Sequence, residues 1–163
     1  MLAVSNTSPI SNLASIGRLE LLKSRFSELW IPDAVAEELA AHPDPVAQAM
    51  IQKAVRSQWI QIRTPQDSGL LRLLLLQLHQ GEAEAIALAT DLHADFVLID
   101  EQEGRQLASR TGLAVTGVLG ILLRAMRAGE IPAVKPEMDL LRTKAHFFVS
   151  AQLEKRILAE AVE

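Results

Sequence analysis

The sequence predicts a three-layer α/β/α domain with a central parallel sheet of about four to five strands. Short apolar runs alternate with helical patterns along 163 residues, about the length of one domain. Hydrophobic residues make up 49% of the chain and aromatic residues only 4%. A core of Leu, Ile, Val and Ala favours helices packed on a sheet, and alternation of strands with helices is typical of parallel sheets covered on both faces. Residues 1–163 are therefore expected to form a single domain.

The first half of the chain opens with an apolar run, Leu2 to Ser5, that predicts a strand. Ser8 is expected to cap the next helix, with Pro9 at its first position and Gly17 at its end, because these residue types suit those places. The elements expected next are a helix at 19–26, a strand at 28–31, helices after Pro32 and at 46–56, and an edge strand at 59–62.

The second half contains the clearest strand signal, the apolar run 94–99 that ends at Asp100. Residues 70–78 are apolar on nearly every side and predict a buried helix. The other elements expected are helices at 82–92, 102–110, 117–128, 135–144 and 150–162, and a strand at 113–116. The last helix carries an apolar stripe, which is expected to join the core or, if exposed, to form a docking surface.

Composition narrows the possible functions. The chain has no Cys, which excludes disulfides and thiolate metal sites and fits a cytoplasmic location. We find no signal-peptide pattern and no apolar run long enough for a membrane span, so membrane contact is not expected. The net charge of −4 argues mildly against a nucleic-acid binder. A nuclease with an acidic metal pocket and a basic rim is the exception.

Polar side chains follow the predicted strands. Asn6, Asp100 and Thr116 stand at strand ends, where ligands bind in open parallel sheets, and Glu38 and Glu82 lie on flanking helices. Converging carboxylates are unfavourable unless a cation neutralises them. Mg²⁺ or Mn²⁺ is the expected cofactor, since hard cations prefer oxygen ligands. Such a site is suited to activating water for phosphodiester hydrolysis.

Several ordered blocks of sequence resemble the PIN-domain family, and together they cover most of the chain. The resemblance is to a bacterial and archaeal branch related to the toxin ribonucleases of toxin–antitoxin pairs. The blocks are Val4–Ile10, Ile31–Leu39, Gly81–Ala89, Leu98–Ala108 and Gly112–Gly120.

The resemblance implies a set of metal ligands: Asn6, Glu38, Glu82, Asp100 and Glu103. Glu38, Glu82 and Asp100 are the expected catalytic carboxylates. Neighbouring side chains expected to contribute are Thr7, Ser8, Glu37, Glu84, Glu101, Arg105 and Thr116. Asn6 departs from the family pattern, which has an acid at this place. Its amide oxygen can coordinate a metal but carries no charge and cannot act as a base.

The implied function is a Mg²⁺- or Mn²⁺-dependent endoribonuclease that hydrolyses RNA through metal-activated water. The resemblance further implies the toxin of a toxin–antitoxin pair, an antitoxin partner and a homodimer. The alternative is a catalytically weakened PIN-like module that binds RNA or a protein. The acids at helix starts also have a purely structural explanation, since the helix dipole stabilises them there. Four arginines could border an RNA groove or form a solvated face: Arg105, Arg110, Arg124 and Arg127.

Overall fold

The computed structural model describes all 163 residues, and its five strands alternate with ten helices. Every predicted strand and helix is present, with ends that differ by a few residues. In chain order the elements are β1 (Leu2–Ser5), α1 (Thr7–Ser15), α2 (Glu20–Arg25), β2 (Glu28–Ile31), α3 (Asp33–Ala40), α4 (Pro45–Arg56), β3 (Ile60–Ile62), α5 (Gly69–Leu75), α6 (Gln80–Asp91), β4 (Phe96–Leu98), α7 (Gln102–Arg110), β5 (Val115–Thr116), α8 (Val118–Arg127), α9 (Lys135–Lys144) and α10 (Ala151–Ala161).

The strands form one parallel sheet in the order β3-β2-β1-β4-β5, which confirms the predicted fold class and the edge position of β3. The chain runs outward from β1 through β2 to β3 and then returns to the other side of β1 to form β4. This reversal places a crevice between the carboxyl ends of β1 and β4, where open α/β sheets bind ligands. The backbone N–H of Asn6 continues the ladder by donating to the Leu98 carbonyl oxygen at 2.9 Å.

Helices cover both faces of the sheet, so the domain has three layers. Successive β1 residues point to opposite faces, Ala3 into one apolar cluster and Val4 into the other. The larger cluster contains buried residues from α1–α4 and α8–α10, and the smaller one contains buried residues from α5, α6 and α7. The apolar stripe of α10 joins the larger cluster through buried Ile157 and Ala161, so it forms core rather than a docking surface.

The start of α1 differs from the sequence prediction. The helix begins at Thr7, with Asn6 at the N-cap position and no side-chain capping bond, so the prediction of Ser8 as the cap was wrong. The hydroxyl of Ser8 instead donates to Asp100 Oδ2 at 3.0 Å. A polar residue that bonds to a neighbouring strand end gives the same local sequence signature as a cap.

The prediction that residues 70–78 are buried on all sides was also wrong. Only Leu74 and Leu78 are buried, whereas Leu73 is 62% and Leu76 80% exposed. The short α5 packs through one side against the smaller apolar cluster, and no other element covers its opposite side. Neither this helix nor any other is long and apolar enough to cross a membrane.

Candidate active site

A polar cavity of about 780 Å³ opens at the crevice between the carboxyl ends of β1 and β4, and none of its lining residues is hydrophobic. We call it the acidic cavity because four glutamates line it. The lining residues are Asn6, Thr7, Ser8, Ser11, Asn12, Glu38, His79, Gln80, Gly81, Glu82, Glu101 and Glu103. They come from α1, α3, the start of α6 and the segment that follows β4.

Asn6 and Glu38 present oxygen atoms to the same small space above Gly81. A methyl group on Gly81 would lie 2.7 Å from Glu38 Oε1 and 3.2 Å from Asn6 Oδ1. The hydroxyl of Thr7 donates to the other carboxylate oxygen, Glu38 Oε2, at 2.9 Å. Thr7 therefore fixes the orientation of Glu38, and the missing side chain at residue 81 leaves room for the two oxygens to converge.

Glu82 lies in the first turn of α6 and is almost fully buried, with 7% of its surface exposed. Burial raises the pKa of Glu82, and the nearby charge of Glu101 raises it further, while a hydrogen bond from the His79 backbone opposes the shift. Glu101 also accepts a hydrogen bond from Asn6 Nδ2 at 3.5 Å. Glu82 and Glu101 are therefore neighbouring carboxyl groups in one corner of the cavity.

Asp100 lies beside the acidic cavity and is held in place by three hydrogen bonds. Its Oδ1 accepts from the Val118 backbone N–H at 2.8 Å, and its Oδ2 accepts from Ser8 Oγ at 3.0 Å and Asn12 Nδ2 at 3.3 Å. Burial raises the pKa of Asp100, and the bonds from Val118 and Ser8 oppose that rise. Asp100 thus ties the end of β4 to α1 and to the start of α8.

The other residues singled out from the sequence divide between the cavity and its surroundings. Glu101 and Glu103 line the cavity with Glu38 and Glu82, as do Thr7 and Ser8. Glu37 is exposed and does not line the cavity.

Three more lie outside the cavity. Glu84 faces α3, where its Oε2 accepts from the Ala34 backbone N–H at 3.2 Å. Arg105 and Thr116 line a separate cavity beside β5, and Arg105 Nη1 donates to the Ile99 carbonyl oxygen at 2.9 Å.

The sequence prediction missed five cavity-lining residues: Ser11, Asn12, His79, Gln80 and Gly81. Asn12 is 8% exposed and lies one turn after Ser8, to whose hydroxyl it donates at 3.0 Å. The spacing of four residues between Ser8 and Asn12 was the available signal, because it places two polar side chains on one helix face. The helix predicted at 82–92 leaves Gly81 outside it, whereas Gly81 lies inside α6.

The electrostatics of the cavity fit a hard cation. None of the ion pairs in the protein involves Glu38, Glu82, Glu101 or Glu103, and His79 is the one lining side chain able to carry positive charge. The carboxylates and Asn6 offer oxygen atoms, the ligands that Mg²⁺ and Mn²⁺ prefer. No three acidic or histidine side chains stand close enough together to hold a metal ion by themselves.

Comparison with known proteins agrees with this architecture. A family model described as PIN domain matches residues 2–163. The fold is also similar to that of a solved structure, a PilT N-terminus domain protein from the hyperthermophilic archaeon Sulfolobus solfataricus. The two have a TM-score of 0.53 and 19% sequence identity, and the match covers 77% of this chain and 94% of the archaeal chain. No curated protein matches the sequence.

Proposed function

Since the chain belongs to the PIN-domain family, whose members are typically nucleases, we propose that it is a divalent-metal-dependent endoribonuclease. One observation carries the proposal: four glutamates and an asparagine line a polar cavity at the switch point of the sheet, and no basic side chain pairs with them. Such a charge arrangement is unfavourable by itself and becomes favourable when a cation binds.

The residues proposed to hold the metal ion are Asn6, Glu38, Glu82, Asp100 and Glu103, with Glu101 as a further ligand. A bound divalent cation would supply Lewis acidity and lower the pKa of a water molecule that attacks a phosphodiester. Mg²⁺ and Mn²⁺ both suit the oxygen donors, and Mn²⁺ is the more convenient probe.

The protein groups around these ligands have separate tasks in this proposal. Thr7 orients Glu38, so that its free oxygen faces Asn6. Ser8 and Asn12 hold Asp100 and act as positioning residues. Glu82 is buried, so its carboxyl group is shielded from bulk water, and a bound cation would favour its charged form.

We further propose that the protein is the toxin of a toxin–antitoxin pair, acting in the cytoplasm and forming a homodimer. The support is the resemblance of its sequence blocks to that branch of the family. Two exposed leucines, Leu73 of α5 and Leu76 directly after it, provide an apolar surface of the kind that protein partners cover.

A second candidate function is a non-catalytic RNA- or protein-binding module. Asn6 favours it, because an amide replaces a charged ligand at the centre of the cavity and its Nδ2 already donates to Glu101. In that case the chain would bind RNA without cleaving it, and Asn6→Asp would create or increase metal-dependent cleavage.

The test is RNA cleavage with a matched pair of variants. Purified protein is incubated with structured and single-stranded RNAs and Mn²⁺, and Glu38→Gln is compared with Glu37→Gln, which removes the same charge one residue away and outside the cavity. We expect the loss of one metal ligand to lower cleavage by at least about tenfold, as observed for metal-site substitutions, while Glu37→Gln retains native activity. Equal activity of the two variants would contradict the proposed site. No cleavage by the native chain together with cleavage by Asn6→Asp would favour the binding module.

A further inference from the structure

A groove lined by arginines runs along the β5 edge of the sheet, outside the acidic cavity. Two cavities, of about 510 and 250 Å³, share Thr116, Gly120, Leu123 and Glu160, so they adjoin along β5, α8 and α10. One reaches the end of α2 and the start of β4, and the other reaches Asp100. We define the basic groove by its arginines: Arg25, Arg105, Arg124, Arg127 and Arg156.

Arg25 lies at one end of the basic groove and has an unpaired polar atom. Its Nε is the only buried polar side-chain atom in the protein that has no hydrogen-bond partner. The guanidinium group lies 5.3 Å from the ring centre of Phe26 and 5.2 Å from that of Phe96, which fix its position. Burial and the charge of Arg124 both lower the pKa of Arg25. Because an arginine remains charged in proteins, a partly buried guanidinium with a free Nε–H and no carboxylate partner is suited to binding an anion.

The protein itself does not supply that anion. Neither Arg25 nor Arg124 belongs to any ion pair, and Arg127 has only a long contact of 3.8 Å with Glu160. Glu130 lines an adjoining cavity, but its Oε2 accepts from Ser24 Oγ at 2.9 Å and it pairs with neither arginine. The groove therefore carries an excess of positive charge within a chain whose net charge is −4.

The length and direction of the groove indicate what kind of anion it fits. Residues 117–127 rise by about 15 Å along the axis of α8, enough for about two to four successive phosphates of a nucleic-acid strand. The two adjoining cavities, of about 510 and 250 Å³, give an extended strand a continuous course along β5. The far end lies at Asp100, which is bonded to Ser8 and Asn12 of the acidic cavity.

We propose that the basic groove binds the phosphate backbone of single-stranded RNA and holds it between Arg25 and the acidic cavity, a role that rests on the proposed nuclease function. Arg25 and Arg124 each contact a phosphate at the end remote from the cleavage site. An acidic peptide would meet the same charges, but the groove ends at a site whose carboxylates are suited to acting on a phosphodiester.

The test is RNA binding in EDTA, measured by fluorescence anisotropy over a range of salt concentrations, so that cleavage plays no part. Arg25→Gln and Arg124→Gln are compared with Arg63→Gln, which removes the same charge beyond β3 at the opposite edge of the sheet. Each groove variant should weaken binding of a labelled RNA about fivefold to tenfold and reduce the slope of log K against log salt by about 0.7, the value of one phosphate contact on a single strand. Arg63→Gln should change neither quantity.

Thermal unfolding checks that each variant folds. Arg124 is exposed, so Arg124→Gln is expected to fold and keeps the test valid even if Arg25→Gln does not fold.

Two results would overturn the proposed role of the groove: an equal loss of RNA binding in Arg63→Gln, or displacement of the labelled RNA by polyglutamate at lower concentrations than by unlabelled RNA. The experiment distinguishes failure of this proposal from failure of the nuclease proposal. RNA binding that depends on the arginines, without any cleavage, would support the RNA-binding groove and contradict the nuclease function. RNA cleavage together with RNA binding that Arg124→Gln does not change would support the nuclease function and contradict the RNA-binding groove.

Discussion

At the scale of single residues, the acidic cavity combines two buried polar side chains, Asn6 and Glu82, with three exposed glutamates, Glu38, Glu101 and Glu103. Asn6 is 5% exposed and donates a hydrogen bond to Glu101. Glu82 is 7% exposed, and the charge of Glu101 raises its pKa. An amide at residue 6 adds an oxygen ligand without adding another negative charge to a crowded site. The metal-free protein is thereby less strained than a version with aspartate there, at the expense of weaker attraction for a cation.

The raised pKa of Glu82 gives a prediction for the dependence of stability on pH. Because the carboxyl group binds its proton more tightly in the folded state, its ionisation above the ordinary value of 4.5 destabilises the fold, and protonation at lower pH relieves that cost. In EDTA, the stability of the native protein relative to Glu82→Gln should therefore fall as the pH rises above 4.5 through the raised pKa of Glu82. At pH 8 the variant should be the more stable of the two by about 1 kcal/mol, the usual size of a single-substitution effect. Thermal unfolding of both proteins across this pH range measures this. A native protein that is more stable than the variant at pH 8 would show that Glu82 is stabilised rather than strained.

At the scale of secondary structure elements, the start of α6 shapes the site through a missing side chain. A methyl group on Gly81 would lie 2.7 Å from Glu38 Oε1, so alanine must displace that carboxylate. Gly81→Ala should weaken Mn²⁺ binding by about tenfold, the lower range for changes that disturb ligand orientation. The free energy of unfolding should change little. Alanine favours the helix by up to about 1 kcal/mol, and this gain offsets the cost of displacing the Glu38 carboxylate.

The matched control for this substitution is Gly69→Ala, at the start of α5, where an added methyl group meets nothing within 4 Å. Titration calorimetry with Mn²⁺ compares the two variants, and unfolding by urea compares their stability. Equal metal affinity in both would mean that the approach of Glu38 to Asn6 does not contribute to binding.

Elements were predictable from sequence to the extent that their signals are local. The strand before Asp100 and the helix at 102–110 follow from a continuous apolar run and from a helical pattern, and both are present. The partners of Asp100 were not predictable, because the contact with Asn12 depends on β1 pairing with β4 across the sheet. The burial of residues 70–78 was wrong for the same reason: a sequence can be apolar without showing whether another element covers it.

At the scale of the whole molecule, positive and negative charge occupy separate regions. The net charge of −4 argued mildly against nucleic-acid binding, yet four glutamates gather in the acidic cavity and five arginines line the β5 edge. The net charge of the chain is a sum over both regions, so it reveals neither the acidic cavity nor the basic groove. The segregation explains how an acidic chain can still offer a surface for a polyanion.

One partly buried ion pair joins the first and last parts of the chain. Arg18, just after α1, donates to Glu137 of α9 at 2.6 Å, and this hydrogen bond raises the pKa of Arg18. Glu137 is 3% exposed, so removing its partner leaves an unpaired buried carboxylate. Arg18→Ala should lower the free energy of unfolding by about 2 kcal/mol after allowance for the partial exposure of Arg18.

The control for Arg18→Ala is Arg72→Ala, which breaks the exposed pair with Asp67 and should cost less than about 0.5 kcal/mol. Urea unfolding of both variants measures the difference. Comparable losses in the two would indicate that the Glu137 carboxylate finds water or another partner when Arg18 is removed.

The most direct test of the central claim is a calorimetric titration of Mn²⁺ into the native chain, Glu82→Gln and Glu84→Gln. The two variants remove the same charge from α6, but Glu82 lines the acidic cavity and Glu84 faces α3. If the cavity is the metal site of a nuclease, the native chain and Glu84→Gln bind Mn²⁺ alike, and Glu82→Gln binds at least about tenfold more weakly. Absence of Mn²⁺ and Mg²⁺ binding to the native chain, or equal binding by both variants, would contradict the claim.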